Sequence, residues 1–146
     1  MTLPRRLGLD TNCFVYLLND PRSRRAEWLA AEIFMPMAAG HVSAVTSVIT
    51  VAELLVRPYR LADLVGARRL RDALETMPGL ELRPVHTTLA DQAAELRGRT
   101  GIPLPDALQA ATMAEAGVDA ALTNDQRWRK LPLPLPVLFL DDLVSS

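Results

Sequence analysis

Short apolar runs alternate with helical stretches along nearly the whole of this chain, and that alternation narrows the possible folds more than any other feature. Strand-like runs stand at about Arg6–Asp10, His41–Val45, Leu80–Val85, Asp119–Thr123 and Val137–Leu140. Strands that alternate with helices in this way imply a parallel sheet covered on both faces. The expected fold class is therefore α/β, with a mostly parallel central sheet of four to five strands flanked by helices.

The intervening segments carry helix start and stop signals. A helix is expected from Thr11 to about Leu18. Asn19-Asp20-Pro21 marks a turn, with Pro21 suited to the first position of a helix that carries Trp28, Leu29, Ile33 and Phe34 and ends near Gly40. Ser47–Val56 is expected to stop before Pro58, and Leu61–Thr76 to turn Leu61, Leu64, Val65 and Ala67 inward and Arg68, Arg69, Arg71 and Asp72 outward. Leu89–Arg99 ends at Gly101, and Pro105–Ala116 at Gly117. Three prolines in Leu131–Pro136 exclude helix and central strand there, leaving an extended connector too near the C-terminus to join two domains. With 146 residues, 49% of them hydrophobic, residues 1–146 are expected to form one domain with an ordinary core.

Composition removes several function classes. A net charge of −1 gives no electrostatic case for a protein that coats nucleic acid. Lys130 is the only lysine among 16 basic residues; arginine grips phosphate and carboxylate with a fork that lysine lacks, although codon bias is the plainer explanation. A single cysteine, Cys13, excludes an internal disulfide, and Met1–Arg6 leads into no signal-type apolar run. Ile33–Ala52 has no charged residue, but Pro36, Gly40 and several hydroxyl residues break it, so it does not read as a membrane span. A cytoplasmic protein is expected. One cysteine and two histidines, His41 and His86, are too few for a zinc site, and no glycine-rich phosphate loop occurs.

Four acids stand at telling places. Asp10 closes the first strand, Asp125 follows the strand ending at Thr123, Asp106 opens a helix after Pro105, and Glu53 lies early in the helix after the second strand. Each also has a local use. Asp10 suits an N-cap, Thr50-x-x-Glu53 matches a capping box, Asp106 suits a helix dipole, and Asn124-Asp125 suits a turn. In an open parallel α/β sheet, however, ligands bind beyond the carboxyl ends of the strands, so all four can meet at one edge. Gathered carboxylates repel unless a hard cation joins them, and Mg²⁺ takes such oxygen ligands. The pattern points to a metal-dependent phosphoester enzyme. Asp63, Asp72, Asp91, Asp141 and Asp142 read as solvated surface.

Leu9-Asp10-Thr11-Asn12, Thr50-x-Ala52-Glu53-Leu54-Leu55, Pro105-Asp106-Ala107-Leu108-x-Ala110-Ala111 and Thr123-Asn124-Asp125-x-x-Trp128, taken in this order, resemble a PIN domain. The closing Leu140-Asp141-Asp142-Leu143 fits too, and Thr46–Arg57 followed by Pro58 is similar to VapC-type toxins of bacterial toxin–antitoxin pairs. The resemblance implies a Mg²⁺- or Mn²⁺-dependent endoribonuclease. It implies Asp10 and Asp106 as main metal ligands, Glu53 and Asp125 completing the cluster with Asp125 also on the metal, and Thr123 and Asn124 supporting the rim. It further implies an RNA substrate, a small antitoxin partner and a homodimer. The sequence adds to the last only the charge-poor Ile33–Ala52 with Val51, Leu54, Leu55 and Tyr59.

In such an enzyme Glu53 or Asp125 would accept the proton of the attacking water, and Arg127, Arg129 and Lys130 would attract RNA. Trp128 has two uses, stacking on an unpaired base or packing in the core. Cys13, among Phe14, Val15 and Leu17, is expected to pack. Three other readings remain: a receiver-type phospho-Asp signalling domain, which needs paired acids after the first strand and a suitable lysine; an Asp-x-Asp phosphatase, where Asn12 stands in place of the second acid; and an inactive PIN-fold scaffold.

Overall fold

The computed structural model describes residues 2–146. Strands β1 (Arg6–Leu9), β2 (Ser43–Ser47), β3 (Leu80–Arg83), β4 (Ala120–Thr123) and β5 (Val137–Phe139) form one sheet in the order β3-β2-β1-β4-β5. Every pairing is parallel, so the expected mostly parallel sheet is a wholly parallel one of five strands. The chain builds outward from β1 through β2 to β3, then returns to place β4 on the other side of β1 and β5 beyond it. Connections leaving β1 and β4 therefore diverge, which opens a crevice at the carboxyl edge of the sheet.

The helices are α1 (Thr11–Asn19), α2 (Arg24–Leu29), α3 (Met35–Ala38), α4 (Val48–Arg60), α5 (Leu64–Thr76), α6 (Thr87–Thr100), α7 (Leu104–Glu115) and α8 (Leu140–Val144). Alternate strand residues point to opposite faces, and the register keeps like with like. Leu7 and Leu9 stand beside Ala120 and Leu122, and all four join Cys13, Phe14, Leu29, Ile33, Leu54 and Leu74 in one buried cluster. Gly8 stands beside Ala121 on the other face, where α6, α7 and Trp128 pack. A Cβ on Gly8 would lie 2.5 Å from Cγ and Sδ of buried Met113, so glycine is what lets α7 lie close to β1. Gly101 and Gly117 end α6 and α7 with φ of 76° and 67°, the left-handed geometry of helix C-termini.

Several boundaries differ from expectation for physical reasons. Pro21 does not start a helix; Ser23 caps α2, its hydroxyl accepting the Ala26 N–H at 3.1 Å. Between α2 and α3 the residues Ala30–Phe34 form a wider π turn, in which the Met35 N–H reaches back to the Ala30 carbonyl. Pro36 follows at once, and a ring without an N–H cannot continue a regular ladder. β2 runs to Ser47 instead of Val45, and Ser47 caps α4, in keeping with the helix start expected there. Pro58 lies inside the last turn of α4 instead of ending it, because it removes a single donor while its own carbonyl takes the Asp63 N–H at 2.8 Å.

The face assigned to α5 is also corrected. Leu61 precedes the helix, and Leu61, Leu64 and Val65 are 67%, 65% and 62% exposed. Ala67 faces inward as expected, and Leu70 and Leu74, on the same helical stripe, complete the inner face in place of Leu61, Leu64 and Val65. Within Ile33–Ala52, Ile33, Met37, Val45, Thr46 and Thr50 are buried while Met35 and Val48 are exposed, and the longer run of exposed apolar residues lies at Val56–Val65. Leu131–Pro136 is irregular, as its prolines require. Among the described residues no helix is long and apolar enough to cross a membrane.

Candidate active site

Asp10 follows β1 directly, donates its own N–H to the Leu122 carbonyl of β4 at 3.0 Å, and caps α1. It is only 5% exposed. One carboxylate oxygen accepts the Thr11 N–H at 2.9 Å; the other accepts the Thr123 hydroxyl at 2.7 Å and the Asn12 amide at 3.2 Å. Capping and site-building are thus the same geometry. Burial pushes the Asp10 pKa up to about 6 against the lowering hydrogen bonds from Thr123 and Thr11, and the nearby Asp106 and Glu53 charges push the same way. Asn12 ties the two strand ends together, since its amide also donates to Thr123 Oγ1 at 3.1 Å while its oxygen accepts the Asn124 N–H at 3.2 Å.

The other acids arrive from three elements. Asp106 stands in the first turn of α7, its pKa raised by burial, then by Asp125, with Arg127 opposing. Asp125 follows β4 and caps the short 3₁₀ turn Gln126–Lys130. Arg127 holds the Asp125 pKa below the usual carboxylate range, mainly by side-chain hydrogen bonding. Its guanidinium grips both oxygens of Asp125 and reaches Asp106 Oδ2 at 3.2 Å, bridging the two acids. Glu53, on the exposed side of α4, accepts the Thr11 hydroxyl at 2.9 Å. Asp10, Glu53, Asp106 and Asp125 line one open cleft of about 290 Å³ with Tyr16 at its wall.

Beneath the cleft lies a buried polar cluster that sequence reasoning missed. Thr46, Thr50 and Gln109 are fully or almost fully buried, and together with Thr11 they hydrogen-bond across β2, α4, α7 and α1. A signal existed: Gln109 interrupts the apolar Ala107–Ala111, and Thr46 and Thr50 sit in the charge-free stretch.

The donor set is made of carboxylate oxygens, which suit a hard cation such as Mg²⁺ or Mn²⁺. Burial disfavours the charged form of Asp10, a cost that a bound cation would offset. Among the described residues no three acids, histidines or cysteines stand together in an arrangement that could hold a metal ion as they are. Arg127 supplies the positive charge between Asp106 and Asp125.

The flanking residues sort clearly. Trp128 is buried among the α6–α7 cluster and is not free to stack on a base. Arg129 pairs with Asp142 at 2.8 Å and lies over the Phe139 ring. Asp141, expected as solvated surface, forms a two-point ion pair with Arg25 at 2.7 and 2.8 Å, and its N–H donates to Asn124 Oδ1 at 3.0 Å. Asn124 in turn donates to the Tyr16 hydroxyl, so the C-terminal helix buttresses the cleft wall. Cys13 is buried with its thiol pKa pushed up, which suits packing and not nucleophilic attack. His86 caps α6 and pairs with Glu115, away from the cleft.

The PIN domain family model matches residues 8–133. No curated protein sequence matches. Among solved structures, a toxin–antitoxin complex from Klebsiella pneumoniae is 21% identical, with a TM-score of 0.66 over 92% of this chain and 97% of that one. FitAcB from Neisseria gonorrhoeae is 23% identical, with a TM-score of 0.64 over 92% and 97%. VapC20 of Mycobacterium tuberculosis, described as a toxin that cleaves the sarcin–ricin loop, is 20% identical, with a TM-score of 0.63 over 86% and 95%. At these identities the likeness is one of fold.

Proposed function

This chain belongs to the PIN domain family, and from that premise we propose that it is a metal-dependent endoribonuclease, the toxin of a toxin–antitoxin pair. The observation that carries the reading is the meeting of Asp10, Glu53, Asp106 and Asp125 in one cleft at the carboxyl edge of the sheet. Family membership does not favour a receiver-type switch.

In this proposal Asp10, Asp106 and Asp125 hold Mg²⁺ or Mn²⁺. The bound ion supplies a lowered pKa for water and charge neutralisation at the phosphodiester. The protein's own groups do the positioning. The Thr123 hydroxyl and the Thr11 N–H fix the Asp10 carboxylate from two sides, and Asn12 with Asn124 keeps the two strand ends in register. Asp125, with its pKa lowered by Arg127, is the weaker proton acceptor. Glu53 faces the cleft with a single hydroxyl on one oxygen and is the better candidate to take the proton of the attacking water. Tyr16, not Trp128, is the aromatic ring placed to meet RNA.

The antitoxin and the homodimer belong to the same proposal. The exposed apolar residues Val56, Tyr59, Leu61, Leu64 and Val65 give a partner a surface at the α4–α5 end. An apolar groove between α1, α4 and α5 includes Glu53 in its lining, so a segment seated there would also cover the cleft.

Incubation of the purified chain with a mixed RNA pool tests the reading. Cleavage is expected with added Mg²⁺ or Mn²⁺ and none in excess chelator. Undiminished cleavage in chelator would exclude the metal mechanism, and no cleavage with any divalent ion would favour an inactive scaffold.

Arg127 adds a second expectation. Because its guanidinium occupies the acids a cation must reach, Arg127→Ala should tighten Mn²⁺ binding a few-fold in calorimetry while slowing RNA cleavage. Unchanged or weaker metal binding would mean that Arg127 does not compete for the site.

A further inference from the structure

We propose that Gln109, which does not line the cleft, is a positioning residue that sets the direction of a buried hydrogen-bond chain ending on Glu53. The inference rests on the carboxylate site just described and concerns how one of its acids is held.

Gln109 lies one turn after Asp106 on α7 and is 1% exposed. Its amide orientation is dictated at one end. The Ser47 N–H at the start of α4 lies 3.2 Å from Oε1, and a backbone N–H can only donate, so the oxygen must face it. The NH₂ end is thereby forced toward Thr50 Oγ1 and Thr11 Oγ1, the latter at 3.3 Å. Both hydroxyls accept from it.

Each hydroxyl has one proton to give onward. At the inner end, Thr46 donates to the Leu9 carbonyl at 2.8 Å, and a carbonyl only accepts, so the 2.7 Å contact between Thr46 and Thr50 carries the Thr50 proton to Thr46. A carboxylate only accepts, so the 2.9 Å contact to Glu53 Oε1 carries the Thr11 proton; with the Thr50 proton given to Thr46, the Gln109 NH₂ is the donor that the Thr11 and Thr50 oxygens, 3.0 Å apart, share. Gln109 is thus the fixed donor from which both branches run. A side chain without N–H groups in its place would remove that bias, free the Thr11 proton to turn toward Thr50 at 3.0 Å, and leave Glu53 unheld. The same amide bonds α7 to the start of α4, which links the helix bearing Asp106 to the helix bearing Glu53.

Gln109→Met keeps the volume and removes the donors. Mn²⁺ titrations by calorimetry on the wild type, Gln109→Met, Glu53→Gln and the double variant separate positioning from a general loss of structure. Glu53 completes the acid cluster from outside the three ligands Asp10, Asp106 and Asp125, and outer-shell partners of a metal site are worth about 10–100-fold in affinity, so releasing Glu53 by Gln109→Met is expected to weaken Mn²⁺ binding about tenfold. In the Glu53→Gln background it should add less than about twofold, because its target is gone. Equal loss in both backgrounds, or no loss in either, overturns the inference. A wild-type chain that does not bind Mn²⁺ would instead overturn the metal-site reading beneath it. Should Gln109→Met fail to fold, Thr11→Val cuts the same branch. It should reproduce the loss and its dependence on Glu53, while Thr11→Ser, which keeps the hydroxyl, should restore binding; a Thr11→Val protein with wild-type affinity overturns the proposal.

Discussion

Asp10→Asn and Asp106→Asn are each expected to lower metal-dependent RNA cleavage by more than about 100-fold, beyond the roughly 10–100-fold that outer-shell partners of a metal site cost. Both changes preserve side-chain shape and remove one charge. Neither should unfold the chain. The Asp10 oxygens accept from Thr11 and Thr123, and an asparagine oxygen can keep one of these bonds. Asp106 bonds to the exposed guanidinium of Arg127, so its loss leaves no buried partner stranded. Circular dichroism and single-turnover cleavage on the same preparations provide the check. Activity within tenfold of wild type in either variant would remove that residue from the site.

The second large effect is a pH-dependent stability difference between the metal-free wild type and Asp10→Asn. The Asp10 pKa is raised from 3.8 to about 6 in the folded chain, principally by burial. A raised carboxyl pKa means that the protonated form is favoured by folding. Its contribution is fully present below the unfolded value near 3.8 and is lost as pH rises through about 6. A shift of this size corresponds to about 3 kcal/mol. Asparagine does not titrate, and the lowered carboxyls of Asp125, Glu115 and Asp141 are common to both proteins, so they cancel in the comparison. The Tm of Asp10→Asn minus that of the wild type should therefore grow between about pH 4 and pH 7, by several degrees at the roughly 2–4 °C per kcal/mol typical of this chain length. Saturating Mn²⁺ near pH 7 should raise the wild-type Tm and close the gap, since binding to the folded ionised form alone stabilises it. A difference that stays constant across that range would show that Asp10 carries no such burial cost.

Strand and helix succession was legible because it is written in near neighbours. Periodicity, a proline or a glycine acts within a turn or two, and so the five strands, the stops at Gly101 and Gly117 and the irregular Leu131–Pro136 could all be read before any contact was known. Where a local rule competed with packing, packing prevailed. The helix α4 runs through Pro58, and α5 buries Ala67, Leu70 and Leu74 while leaving Leu64 and Val65 in solvent. Apolarity says that a residue can be buried; the neighbouring elements decide which side is.

The acids divide along the same line. Asp10, Asp106 and Asp125 each end a strand or open a turn or helix, a property of two or three adjacent residues, and the α/β pattern alone was enough to send such positions toward one edge. What they face there was not legible. The Arg127 bridge to Asp106 spans 21 residues, the Thr123 bond to Asp10 spans 113, and the Gln109 bond to Thr11 spans 98. Each depends on β4 lying against β1 and on α7 lying across β2, arrangements settled only when the chain returns over its own sheet. The sequence by itself determined which residues could carry the chemistry and where each meets its local turn. Strand order determined which of them share a cleft, which acid is buried with its pKa raised, and which buried amide holds them in place, because hydrogen bonds and charges act over a few ångströms of space whatever their separation along the chain.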